Sequence, residues 1–235
     1  MSSPSPSYLF AIFLCLLCTA VLSREGVDFS SFEGEFTQKD LDCLAANNKT
    51  FAIVEVWKHQ WGINKYWLGY YEALQKMNFE FVDAYAFICN ECEGNTPKNI
   101  CSSINSTLPA DFKGKLWIDV EPCDGCWSTN FTANMQFVVD VVETCASYGY
   151  QMGIYSTMYC WQEVVGEFSA PKSLTDLPLW FAHWDNASNF NDYAKYSVGN
   201  WTHPMMKQKS GLASLCGLDI DLDYLPDILE EEITY

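Results

Sequence analysis

The chain has 235 residues, with 30 acidic against 13 basic side chains and a formal charge of −17 at neutral pH. That charge excludes nucleic acid as a partner, because phosphates demand a basic face, and excludes electrostatic capture of anionic membranes at neutral pH. It suits an acidic compartment, where protonation of Asp and Glu removes much of the repulsion.

In chain order, Tyr8 to Cys18 is uninterruptedly apolar and residues 1–23 carry no charge. The run is too short to span a bilayer and reads as a secretory signal peptide cleaved after Val21 and Ser23, before Arg24. No later stretch is long and apolar enough to cross a membrane. The mature chain, residues 24–235, is then about 212 residues and one domain. Asp28, in EGVDFSSF, reads on its own as a turn or cap residue, with Ser30 and Ser31 as alternative caps. Strands are predicted at 51–57, 79–87, 115–120, 151–156 and 177–184, several of them apolar on both faces. Helices are predicted over Tyr66–Met77 and Phe131–Tyr148. Thr129 or Asn130 would cap the second of these and Gly149 would end it. Continuously apolar strands separated by helices predict parallel β-α units, so the expected fold is α/β: a single irregular TIM-like (β/α) barrel, with a doubly wound sheet as the alternative.

Five sequons, at Asn48, Asn105, Asn130, Asn186 and Asn200, agree with export. Nine cysteines follow the leader: Cys43, Cys89, Cys92, Cys101, Cys123, Cys126, Cys145, Cys160 and Cys216. Secretion favours disulfides, and an odd number leaves one thiol free or paired with another molecule. Cys89-x-x-Cys92 and Cys123-x-x-Cys126 also resemble the halves of a zinc site, although the interval between them exceeds the usual ribbon spacing. His59, His183 and His203 show no ligand spacing, and no G-x-S-x-G turn is present. No metal or cofactor is implied.

KLWIDVEP, residues 115–122, ends an apolar strand with Asp119 and Glu121. Strand alternation points both to one face, with Cβ atoms roughly 7 Å apart, so both can act on one substrate. Alone, D-x-E is weak evidence, because clustered carboxylates are often structural. As a site it suits glycoside hydrolysis: one carboxylic acid protonates the leaving oxygen while a second group supports the charge developing on the sugar carbon. The run CGLDIDLDYLP aligns Asp219, Asp221 and Asp223 on one face, where three like charges need a sugar, a metal or donors. Aromatics near strand ends, including Trp57, Trp117, Trp180, Phe181 and Trp184, offer flat faces for sugar C–H surfaces.

The ordered strings GVDFS, FAIVEVW, VDAYAFICNEC, LWIDVEP, MGIYSTMYCW, LPLWFAHWDN and KQKSGLASLCGLDIDLDY resemble glycoside hydrolase family 25 lysozymes, secreted eukaryotic branch, from about Gly26 to Leu225. The resemblance implies hydrolysis of β-1,4 bonds between N-acetylmuramic acid and N-acetylglucosamine, with bacterial peptidoglycan as partner and a secreted or lysosomal monomer. Carried over, it makes Glu121 the general acid/base and Asp119 the group that orients the substrate's 2-acetamido, with net retention. Asp28 matches the first-strand aspartate and Asp221 the C-terminal one, Asp219 being the alternative. Tyr85, Trp180, Phe181, Trp184 and Asp219 are the substrate-binding candidates. The sequence departs from the family pattern at Glu55, where a basic residue is common, at Phe181 for Tyr, and at Asp223 for Asn. Two rival readings are a chitinase-like hydrolase, with GLDIDLDY as its motif and Asp223 as the acid, and a catalytically inactive glycan-binding barrel.

Overall fold

A computed structural model describes residues 23–227 apart from 32–33, 78 and 167–168. The predicted leader therefore lies outside the described residues, except for Ser23. Strand β1 (Ser23–Phe29) opens the fold, so Asp28 lies on a strand rather than in a turn. The first helix, α1 (Gln38–Ala46), is capped neither by Ser30 nor by Ser31 but by Thr37, in a reciprocal capping box with Asp40. Then follow β2 (Lys49–Lys58), the two-residue β3 (Gly62–Ile63), α2 (Trp67–Gln75), β4 (Phe81–Phe87) and α3 (Pro97–Thr107). The second half runs β5 (Lys115–Asp119), α4 (Phe131–Ala146), β6 (Gln151–Ser156), α5 (Met158–Val165), α6 (Lys172–Thr175), β7 (Leu179–Ala182), β8 (Met206–Leu215) and β9 (Leu218–Pro226). All five predicted strands and both predicted helices are present, with ends shifted by up to two residues. Asn130 is the α4 cap, its side chain accepting from the Ala133 amide.

The strands close in the order β1-β2-β4-β5-β6-β7-β8-β9, with β9 returning to β1. Pairings from β1 through β8 are parallel, whereas β9 is antiparallel to both neighbours. This is the expected irregular barrel. Its irregularity lies in the last turn: residues 183–205 connect β7 to β8 without a helix, and β8 and β9 form a hairpin.

Alternation divides the strands into two environments. Val27, Val54, Ala84, Ile118 and Ile154 face outward, in one core with the helices. Phe51, Ile53, Trp117, Tyr155, Trp180, Met206 and Leu225 face inward as a second cluster. Two glycines make room for the inner aromatics. A Cβ on Gly26 would lie 2.1 Å from the Phe51 ring, and one on Gly153 would lie 2.4 Å from the Trp117 ring. The barrel is thus plugged with aromatic carbon below, which leaves the strands' C-terminal ends to carry polar groups.

Four disulfides brace this frame: Cys43–Cys216, Cys89–Cys92, Cys101–Cys145 and Cys123–Cys126. Each C-x-x-C is closed on itself, which sets aside the zinc reading. Cys160 is the odd thiol.

Candidate active site

At the C-terminal ends of the strands, Asp28, Tyr85, Asp119, Glu121, Tyr155, Trp180, Gln208 and Asp221 line a cleft of about 70 Å³. Register explains the convergence. Asp119 pairs with Tyr155 across β5 and β6, and Asp28 pairs with Asp221 across β1 and β9. Glu121 lies two residues beyond Asp119, just past the end of β5. The Val120 amide donates to the Tyr155 carbonyl at 3.0 Å, the Ser156 hydroxyl donates to the Val120 carbonyl at 2.8 Å, and the Trp127 indole donates to the Glu121 carbonyl at 2.7 Å. The backbone beneath the D-x-E is therefore held on both sides.

The cleft lining is acidic and carries no cationic side chain. Asp119 is 4% exposed, and its Oδ1 has no hydrogen-bond partner. Burial first, then the neighbouring Glu121 and Glu55, hold its carboxyl well above the usual range. Burial also raises Glu121, with Asp221 adding to the rise, while an S–H donated by Cys160 to Oε1 at 3.7 Å opposes it. Glu55, where a basic residue was expected, is buried on the same side of the barrel and adds charge instead of compensating it.

Gln208 organises the other half. Its Nε2 donates to Asp28 and to Asp221, both at 2.9 Å, and its Oε1 accepts from Tyr155 and from the Trp184 indole, both at 2.8 Å. The Leu212 amide donates to the second oxygen of Asp221 at 2.6 Å. Burial, then Asp223 and Asp221, push Asp28 well up. Below the cleft, the Trp180 indole donates to Asp223 at 2.9 Å and the Trp117 indole to Asp83 at 2.8 Å. These floor carboxyls are also raised by burial, Asp83 to about 6.

The structure brings Asp28, Asp119, Glu121 and Asp221 together, with Tyr85 and Trp180 beside them. Trp184 stands at the mouth, 61% exposed and anchored through its indole to Gln208. Two predicted residues lie elsewhere. Phe181 is 0% exposed and packs outside the barrel against Tyr193 and His183. Being adjacent to the inward-facing Trp180, it has to face out. Asp219 is exposed on the hairpin beyond the rim, paired in register with Ser214, so Asp221 is the C-terminal aspartate in the cleft. Sequence reasoning missed Gln208, Tyr155 and Cys160. The first two were marked only by period-two alternation with Met206 and Gly153.

Two clusters carry metal-type donors among the described residues. Cys89, Cys92 and Cys126 are already in disulfides. His183, Asp185 and Asp192 surround the buried Lys207 ammonium, which lies 2.8 Å from Asp185 and 3.1 Å from Asp192 and supplies the countercharge.

A family model described as "Lysozyme-like protein 1" matches residues 22–208, a span that includes Asp28, Asp119, Glu121 and Gln208. "Counting factor 50" of Dictyostelium discoideum is 36% identical over 92% of this chain and 72% of its own length. "Probable GH family 25 lysozyme 3" from the same organism is 36% identical over 93% of this chain, which spans 44% of that protein. Among solved structures, a family GH25 lysozyme from Aspergillus fumigatus has a TM-score of 0.71 at 14% identity, covering 89% of this chain and 97% of that one. The last likeness is one of fold.

Proposed function

Because the chain belongs to the lysozyme-like glycoside hydrolases of family 25, we propose that it cleaves the β-1,4 bond between N-acetylmuramic acid and N-acetylglucosamine in bacterial peptidoglycan, at acidic pH and with net retention. The observation that carries this reading is the pair Asp119 and Glu121 facing one largely buried cleft, with no cationic lining residue to neutralise them. Protonated Glu121 gives its proton to the glycosidic oxygen as the C1–O bond breaks. Asp119, whose Oδ1 lacks a protein partner, accepts the substrate's acetamido N–H and directs the acetamido oxygen to C1. Glu121, now a carboxylate, then takes a proton from the water that opens the cyclic intermediate. Two displacements at C1 return the original configuration. Raised carboxyl pKa values keep the acid protonated at a pH where surface carboxylates have ionised.

Four disulfides support a working place in the secretory pathway, outside the cell or in a lysosome. No helix among the described residues is long and apolar enough to cross a membrane. An acidic optimum follows from the −17 charge, since bacterial walls are anionic and repel the chain at neutral pH. The chitinase-like reading of residues 219–223 loses its acid, because Asp223 is fully buried under the cleft and bound to Trp180.

The test is clearing of suspended cell walls across pH by the wild type and Glu121→Gln. Clearing by the wild type should peak well below pH 7 and fall about 10²–10⁴-fold in the variant, the usual range for loss of a general acid. Equal clearing by the two proteins would refute the assignment of Glu121. Tight wall binding without release of reducing ends would instead favour a glycan-binding barrel.

A further inference from the structure

The odd cysteine is not placed at random. Cys160 is the third residue of α5, its amide tied to the Thr157 hydroxyl at 2.9 Å, and its Sγ lies 3.7 Å from Glu121 Oε1. Every other described cysteine is in a disulfide. The cleft it borders holds a second sign of an awaited ligand: Asp119, 4% exposed, with an unpartnered oxygen.

We infer that Cys160 is a positioning residue for the proposed hydrolysis, its thiol hydrogen-bonding Glu121 Oε1 so that the carboxyl group stays aimed at the bond to be cut. The inference rests on Glu121 being the acid. It goes further by giving a role to the unpaired thiol.

The surroundings make a thiol suited to the task. The groups facing Glu121 and Cys160 are Asp119 on β5, Asp221 on β9 and Tyr155 on β6, together with the Thr157 cap, with Glu55 on β2 one step further away against Asp119. None of these is a cation. Glu121 therefore has only weak help in carrying negative charge during the half-reaction in which it is a carboxylate, and the S–H supplies part of it. The reverse effect keeps the donor in place. Burial first, with Glu121 and Asp119 adding to it against the Thr157 hydroxyl, pushes the Cys160 thiol up to about 11. The thiol thus remains protonated throughout the pH range in which the enzyme would work, and it also remains unreactive.

The protein with its disulfides intact allows a test in two arms. The first reads the coupling without using activity, by following alkylation of Cys160 with iodoacetamide against pH in wild type and Glu121→Gln. The thiol should react at least ten-fold faster in the variant at pH 8, because the opposing carboxylate is gone. Equal rates, or a wild-type protein with no free thiol by mass, overturn the inference. The second arm compares kcat/KM against pH for wild type, Cys160→Ala and Cys160→Ser. Losing the donor should move the alkaline limb of Cys160→Ala upward, and the serine hydroxyl should restore it. A uniform fall in rate with an unmoved limb means packing alone, and overturns the inference. Full activity in Glu121→Gln would sink the acid assignment, while the alkylation arm would still report whether the two side chains are coupled.

Discussion

Asp119 is a residue whose stability cost and proposed function oppose each other. Its carboxyl is buried, faces like charge from Glu121 and Glu55, and leaves one oxygen unpartnered. Ionising it costs free energy that a neutral amide would not. Asp119→Asn should therefore melt at or above the wild-type temperature at pH 8, by roughly 2–4 °C for about 1 kcal/mol, while wall digestion falls about 100-fold. A variant that melted lower and stayed active would show that Asp119 is structural. The acid pair was legible because D-x-E at the end of an apolar strand is a local pattern. Gln208 was not, since a single glutamine in KQKS carries no chemical flag until the barrel closes and places it between Asp28 and Asp221. Phe181 was misplaced for a simpler reason: two adjacent aromatics on one strand cannot both face the cleft.

At the level of elements, the covalent tie between α1 and the β8–β9 hairpin deserves a direct test. Cys43–Cys216 joins residues 173 apart and anchors the hairpin that presents Asp221. Replacing both cysteines with serine should lower unfolding free energy by about 2–5 kcal/mol, read by urea denaturation, because a long loop regains its unfolded-state entropy. An unchanged midpoint would mean that the hairpin is held by its strand pairing alone. The inner strands were legible from their apolar runs, and α4 from Phe137, Val138, Val141, Val142 and Cys145 on one face. Helices α1 and α3 escaped because they bury so little. The first buries Leu41 and Leu44 in QKDLDCLAA, and the second buries Ile100, Cys101 and Ile104 in a Ser- and Asn-rich segment. A start signal for α3 was nevertheless present, in Thr96 as cap followed by Pro97. Strand β1, seven residues long, was hidden by Arg24 and Glu25, which interrupt its apolar pattern, and by Gly26, which serves the Phe51 ring rather than a turn.

For the whole molecule, the buried carboxyls set the direction of its pH response. Asp28, Asp119, Glu121 and Asp223 are all raised, burial being the leading cause in each, and Asp83 is raised to about 6. A carboxyl raised in the folded state binds its proton more tightly there than in the unfolded chain. Its contribution is full below the unfolded value of about 4 and is lost as pH rises through the folded value. For Asp83 that window spans about pH 4 to 6, and the more strongly raised groups extend the loss to higher pH. Self-repulsion at −17 acts in the same direction. Asp40 and Asp185, which are lowered, act the opposite way only near and below pH 4, and His59, lowered by burial and by Lys58, is a single group opposing the trend below its ordinary value of about 6.5. The melting temperature should therefore be higher at pH 5 than at pH 8, and a scan showing the reverse would mean that these carboxyls are compensated in solution.

That acid-favouring scaffold and the D-x-E in its cleft bear on the central proposal, that the chain cuts the muramic acid side of the glycan strand with Glu121 as its acid. The most direct test is the chemical identity of the reducing end on soluble fragments released from purified peptidoglycan at acidic pH. The wild type should release fragments ending in N-acetylmuramic acid, and Glu121→Gln should release almost none. Fragments ending in N-acetylglucosamine, or equal release by the variant, would contradict the claim.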